Sequence, residues 1–292
     1  CSCCEGARIS RFRTISCFFI MKADSENIFV VAENCLYSGD VEAILACTQQ
    51  AGIFFKSNGL NFEDNGSPRS VKEAQFPERP LLLPPKEMPK RSLNTVLGVQ
   101  AFFHAIAHIE FIAIYLAWDL LYRFRGLPLE FYHDWLSVAV EEAEHFSMIR
   151  EHLLAIGVDY GDYPAHNGLW AVAEDTADDL LMRLAFVPRY LEARGLDVTP
   201  PMIEKFNHLG DYKSAAILQR ILDDEVRHVK LGSYWFKYVC SERGLNDEES
   251  YLKFIRQRFK GAPTGGVLNK ELRYKAGFSP FELEGLEHWE SD

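Results

Sequence analysis

The sequence predicts an all-α chain: a four-helix bundle with an interrupted third helix, an irregular N-terminal arm before it and a C-terminal tail after it. Three observations predict it. From Ser92 onward the apolar residues take up helical periodicity and keep it. Within that stretch two Glu-x-x-His pairs occur 83 residues apart, Glu142 with His145 and Glu225 with His228. Each pair is preceded at almost the same interval by one more glutamate, Glu110 by 32 residues and Glu192 by 33. One glutamate from each of two helices, with a Glu-x-x-His from each of the other two, is the ligand pattern of a bundle holding two metal ions.

The chain starts with Cys1 rather than Met, and residues 1–20 carry Arg8, Arg11 and Arg13 against one acid, Glu5. They read as a targeting segment or as upstream sequence outside the domain. Residues 21–91 form the arm, with a short helix over 41–51 and an extended stretch rich in Pro, Lys, Asn and Gly over 56–91. The first long helix is expected over 92–124. The second runs over 128–156, entered at Pro128 and closed by Gly157. Glu110 and Glu142 each stand 16 residues from the turn at Gly126, so they fall level across an antiparallel hairpin.

The third helix begins near Leu169, and the fourth covers 211–240. Glu192 is followed by Gly195 and by Pro200-Pro201, and a hairpin turned at Gly195 would leave it out of level with Glu225. A turn at Gly210, 18 residues after Glu192 and 15 before Glu225, restores the register if the third helix continues beyond a break. The break is therefore expected within a turn or two of Glu192, as helix irregularities often accompany functional sites. The connection over 157–168 reaches about 40 Å at full stretch. A 29-residue helix is about 43 Å long. A crossover returning along the bundle thus needs near-full extension or a third helix that starts later. A short helix over 248–259, a Gly/Pro-rich loop and an irregular tail complete the chain, so the bundle is 92–243 and residues 244–292 pack on it.

Residues three apart on a helix share a face, so each Glu-x-x-His can aim both ligands at one ion. About one such pair is expected by chance at this composition, and three occur. Glu130 with His133 lies just inside Pro128 and reads as a helix-end pair. The other two lie in apolar mid-helix sequence, where an unpaired carboxylate is costly. The candidate ligands are Glu110, Glu142, His145, Glu192, Glu225 and His228. Carboxylate and imidazole without thiolate suit iron or manganese. Glu141 and Asp224 each precede a ligand glutamate and are expected to accept from the imidazole N–H groups. His104 and His108 do not share a face with Glu110 and read as packing histidines, and His166 as a loop hydrogen-bonder. Arg183, Arg194 and Arg227 read as countercharges, and Tyr115, Tyr190 and Trp235 as core aromatics.

A net charge of -11 argues against a bulk nucleic-acid surface. Of seven cysteines, six fall in the first fifty residues, which makes no disulfide framework. A reducing compartment follows: the cytoplasm, or the mitochondrion if residues 1–20 address it. The nearest candidate for a membrane span, Phe111 to Leu121, is too short and contains Asp119.

Several stretches resemble an uncharacterised ferritin-like family, domain of unknown function 455. They are His104-Ala-Ile-Ala-His-Ile-Glu110, Glu141-Glu-Ala-Glu-His-Phe146, Tyr160-Gly-Asp-Tyr-Pro-Ala-His166, Val187-Pro188, Leu191-Glu-Ala-Arg-Gly-Leu-Asp-Val-Thr-Pro200 and Asp224-Glu-Val-Arg-His-Val229. The resemblance runs from about Arg79 to Phe281 and implies a ferritin-like bundle with a di-metal site. A more distant likeness, in the ligand pattern alone, is to the tRNA hydroxylases. The expected function is an oxygen-activating di-metal oxidoreductase of hydroxylase or oxidase type, holding two ions: iron, manganese or both. Its substrate would be a small organic molecule or a modified base, its partners an electron donor and, as a homodimer, a second copy. The alternatives are a ferroxidase that handles iron, or a structural protein in which the metal only holds the bundle together.

Overall fold

Side-chain caps set most of the element boundaries. Asn27 accepts from the Phe29 and Val30 N–H groups to start α1 (Ile28–Leu36), and Asp40 accepts from Ala43 to start α2 (Val41–Lys56). Thr95 caps α3 (Val96–Arg123), while Pro128 precedes α4 (Leu129–Ala155). The short α5 (Gly168–Asp175) and α6 (Leu180–Phe186) follow, then a π-helical turn (Val187–Glu192) and α7 (Ala193–His208). Asp211 caps α8 (Tyr212–Glu242), and α9 (Asp247–Arg258), α10 (Lys270–Lys275) and α11 (Pro280–Glu287) complete the chain. The computed structural model describes residues 26–88, 92–259 and 267–288. The segment read as targeting, 1–20, and most of the Gly/Pro-rich loop lie outside the described residues. The described residues are all-α, apart from a parallel pairing of Glu26–Asn27 (β1) with Leu60–Asn61 (β2) and an isolated parallel bridge between Leu82 and Ala165.

Cross-helix hydrogen bonds give the directions. Gln100 near the start of α3 donates to the Ile156 carbonyl at the end of α4, so the two run antiparallel. Between α4 and α8 the pairs are His152 with Ser214, His145 with Asp224, Glu141 with His228 and Asp134 with Trp235. One number falls as the other rises, so this contact is antiparallel over its full length. The chain reverses at Gly210, whose φ of +76° suits glycine. On the returning side, Arg189 meets Ser233 and Asp179 meets Arg243. The segment from α6 to α7 is therefore antiparallel to α8 and parallel to α4.

A parallel α6–α7 requires the chain to travel back along α4 after Ala155. The third long helix does not begin at Leu169 as the sequence suggested. Helix α5 is only eight residues long and packs on α3, where Trp170 meets Tyr115 edge-on at 6.1 Å. The long segment restarts at Leu180, beside the C-terminal end of α3, where Arg183 reaches Asp119. The later start supplies the span that 12 residues could not.

The interruption also differs from expectation. Gly195, Pro200 and Pro201 all lie inside α7, which packs along α8 and buries Leu196 and Phe206, the latter against Phe102 and Phe103 of α3. The irregularity sits upstream, at the π turn that ends on Glu192 itself. Its cause is Pro188, which has no N–H for the α-helical ladder. The tail likewise is not irregular: Ser279 and Glu282 form a reciprocal capping box that starts α11.

Helix α3 forms the core's centre. By length and composition it is also apolar enough to cross a membrane, although Glu110 and Asp119 interrupt its uncharged run. In the fold 61% of its most apolar window is buried, and its charges Glu110 and Asp119 turn inward.

Candidate metal centre

Four helical segments bring their acids to one buried place. Glu110 comes from α3, Glu142 and His145 from α4, Glu225 and His228 from α8, and Glu192 from the last residue of the π turn. Glu110, Glu142, His145 and Glu225 offer donor atoms that all lie within 4.8 Å of one another, a set that could hold a metal ion. Glu142 is wholly buried and stands between the two imidazoles. Its Oε2 is 3.6 Å from His145 Nδ1, and its Oε1 is 2.9 Å from His228 Nδ1. Glu110 Oε2 lies 3.0 Å from His145 Nδ1, and Glu225 Oε1 lies 3.5 Å from His228 Nδ1. Both Nδ1 atoms face the carboxylates.

The opposite imidazole edges are held as well. His145 donates through Nε2 to Asp224 Oδ2 at 3.0 Å, and His228 through Nε2 to Glu141 Oε2 at 2.7 Å. Each acid thus grips the histidine of the other helix. Arg220 pairs with Asp224 at 3.0 Å and Arg227 with Glu141 at 2.7 Å, linking both grips to the surface.

The electrostatics is that of a site short of positive charge. Burial, then the neighbouring Glu142, pushes the Glu110 carboxyl up to about 8. Burial, then the charges of Glu225 and Glu142, pushes Glu192 well up. Burial followed by Glu142 raises Glu225. Burial opposes charge on His145, yet hydrogen bonds to Glu110 and Glu142 overcome it and hold the imidazole up at about 11. His228 is raised in the same way, burial being outweighed by Glu141 and Glu142. Burial would also raise Glu142, but the two imidazoles hold it below the usual carboxylate range. Glu141 is held at about 2 by His228 and Arg227 against its burial.

Hydrogen bonding leaves the inner face unfinished. Both oxygens of Glu142, Oε2 of Glu192, Oε2 of Glu225 and Nδ1 of His228 are buried without a hydrogen-bond partner. The 2.9 Å between His228 Nδ1 and Glu142 Oε1 is the right distance but lacks hydrogen-bond direction. Buried polar atoms are rarely left so. Two donors about 2.1 Å from one ion are about 3.0 Å apart at a right angle and about 3.4 Å apart at a tetrahedral one. The separations here, 2.9 to 3.6 Å, are of that size. The residues fit a cation.

The chain matches, over residues 38–284, the family described as protein of unknown function (DUF455). It belongs to the DUF455 family. An uncharacterized protein of Haemophilus influenzae is 45% identical over 220 residues, covering 73% of this chain and 76% of the relative. No solved structure matches. The DUF455 match spans every residue of the cluster and extends to α11.

Other sequence-marked residues in this DUF455 chain lie elsewhere. Arg183 is not a countercharge of the cluster, since it is buried against Asp119, Thr176 and the Ala173 carbonyl. Arg194 is exposed, and of the three marked arginines Arg227 alone joins the network described above. His108 bonds the Tyr160 hydroxyl and the His166 carbonyl, while His104 accepts from the Gly161 N–H. Tyr115 donates to the Gln75 carbonyl, Tyr190 stacks on Phe259, and Trp235 donates to Asp134. Sequence reasoning passed over Arg220, and Pro188 with the π turn it causes. Arg220 had a signal, lying one turn before Asp224.

Proposed function

We propose that this chain is a ferritin-like di-metal carboxylate protein, a four-helix bundle of α3, α4, α6–α7 and α8 whose centre serves an oxygen-activating oxidoreductase of hydroxylase or oxidase type. One observation carries the reading: buried Glu110 and Glu142 and half-buried Glu192 and Glu225 come from four helical segments to two imidazoles, and both oxygens of Glu142 with one each of Glu192 and Glu225 are left without hydrogen-bond partners. The pattern of one glutamate from each of two helices and Glu-x-x-His from the others supports two ions rather than one.

In this reading Glu110, Glu142 and His145 would hold one ion and Glu192, Glu225 and His228 the other, with Glu142 placed between the two imidazoles and so within reach of both. The donor set suits iron or manganese. When bound, such a pair supplies redox chemistry with oxygen that no side chain here offers. The chain's own residues orient and insulate the pair. Asp224 and Glu141 keep both Nε2 atoms protonated, so each Nδ1 lone pair turns inward. Phe111 and Phe146, next in sequence to Glu110 and His145, pack on each other in the buried core between α3 and α4. Substrate, electron donor and a homodimer belong to the same proposal.

The test is metal content by mass spectrometry on protein purified without added metal, beside a Glu142→Ala/Glu225→Ala double variant. About two iron or manganese ions per chain, lost in the variant, is the expected result. Oxygen uptake with a reductant and candidate substrates then separates an oxidoreductase from a ferroxidase, which consumes oxygen with ferrous iron alone. Substoichiometric metal that the variant leaves unchanged, even after anaerobic ferrous loading, would overturn the reading.

A further inference from the structure

Glu192 ends the π turn, and no hydrogen bond to its Oε2 helps to hold it there. Its Oε2 is buried without a partner, and the charges of Glu225 and Glu142 repel it. Its position is therefore imposed through the backbone of the π turn. That turn is intrinsically weak, because Pro188 removes a ladder donor and π geometry is seldom stable without support.

The support comes from the C-terminal helices. Arg189 sits in the turn three residues before Glu192 and is wholly buried. Its Nη2 donates to Glu282 Oε1 of α11 at 2.7 Å, and its Nε to Ser233 Oγ of α8 at 3.2 Å. The guanidinium lies against the rings of Tyr251 at 4.1 Å, Phe236 at 4.7 Å and Phe278 at 4.9 Å. The Tyr251 hydroxyl donates to the Arg189 carbonyl at 2.9 Å, so side chain and backbone of this residue are both fixed. Glu282 is itself fixed, since its second oxygen accepts from the Ser279 N–H in the α11 capping box. On the far side of Glu192, Arg273 of α10 pairs with Asp197 and donates to the Ala193 carbonyl.

We propose that Arg189 is a positioning residue for the metal site, acting through Glu192, with Glu282 and Tyr251 as its anchors; the proposal rests on the di-metal reading above. The C-terminal helices are in this view part of the site's scaffold. An uncompensated buried arginine is costly, so losing Glu282 forces Arg189 to move, and the turn with it. The carboxylate three residues on would then no longer be placed to hold the second ion. Glu110, Glu142 and His145 lie outside the turn and would still be placed to hold the first.

The test titrates metal-free full-length protein with Mn²⁺, following stoichiometry and electron paramagnetic resonance. Wild-type protein is expected to bind two ions and to show the signal of an exchange-coupled pair. Glu282→Gln and Arg189→Met are expected to keep the first ion, to weaken the second by about 10-fold or more, and to replace the coupled signal with that of an isolated Mn²⁺. Tyr251→Phe shifts the balance in the same direction by less. Ile44→Ala, a core truncation in α2, is expected to lower the melting temperature while leaving both ions in place.

Unchanged affinity and coupling in Glu282→Gln and Tyr251→Phe, when Glu192→Ala loses the second ion, would overturn the inference. So would an equal loss in Ile44→Ala. If Arg189→Met does not fold, the two milder variants decide. Wild-type protein that binds no Mn²⁺ would overturn the di-metal reading and the inference together, a result distinct from the others.

Discussion

Asp224 on α8 accepts from Nε2 of His145 on α4 at 3.0 Å, so an acid of one helix orients the imidazole of another. Glu141 does the same in reverse for His228. This cross-bracing ties the two Glu-x-x-His helices together at the site. Asp224→Asn and Glu141→Gln are each expected to weaken Mn²⁺ or Fe²⁺ binding by roughly 10- to 100-fold, read by competition with a chelator. Arg220→Met should cost less, because that side chain is 58% exposed and its pairing is screened by water.

Metal loading should release protons. Burial and Glu142 push the Glu110 carboxyl up, and Glu110 with Glu142 holds the His145 imidazole up, so the metal-free cluster retains protons. An ion must displace them to bind, so apparent affinity should rise with pH. Calorimetric titrations in two buffers of different ionisation enthalpy check this. Equal heats in the two buffers would contradict it.

Gly232 of α8 meets the π turn directly. A Cβ at this position would stand 2.4 Å from Cβ of Pro188, too close for any rearrangement short of separating the helices. Gly232→Ala is expected to destabilise the protein by about 1–3 kcal/mol and to weaken metal binding with it. Urea unfolding gives the first quantity and metal titration the second. A stable variant with normal binding would show that the approach of α8 to the turn is not tight.

The histidines of α3 make the fold acid-sensitive. Burial lowers both His104 and His108 to about 4. Between that value and about 6.5 the unfolded chain binds protons that the folded chain refuses, so stability rises with pH there. Their contribution is complete above pH 6.5 and lost as pH falls toward 4. The pair should cost roughly 1–3 kcal/mol over that range, and His104→Gln should flatten part of the slope in melting temperature against pH.

Arg183 and Asp119 form a fully buried pair joining α6 to α3. Arg183→Met, which leaves Asp119 paired only with Arg123, is expected to cost about 3–5 kcal/mol. Denaturant unfolding measures it, and a loss below 1 kcal/mol would mean that Arg123 alone neutralises the acid.

Helical periodicity, the Pro128 and Gly157 boundaries and the hairpin level of Glu110 with Glu142 are local features, and the chain's own residues determine them. The clustering of acids at matched intervals was equally legible, because a helix converts spacing into facing. The reversal at Gly210 followed from requiring Glu192 to stand level with Glu225. Helix α11 of the tail could have been read from Ser279-Pro280-Phe281-Glu282 and was passed over.

What the sequence could not decide depended on distant partners. Gly195 and Pro200-Pro201 look like stronger helix breakers than Pro188, yet α7 runs through them because packing against α8 outweighs the lost ladder bonds. Pro188 yields a π turn because Gly232 lets α8 come close and because Arg189 finds Glu282 93 residues away. The direction of each imidazole was likewise a tertiary matter, set by an acid on the neighbouring helix. Local spacing determined which residues would face inward; only packing between helices decided what each would meet there.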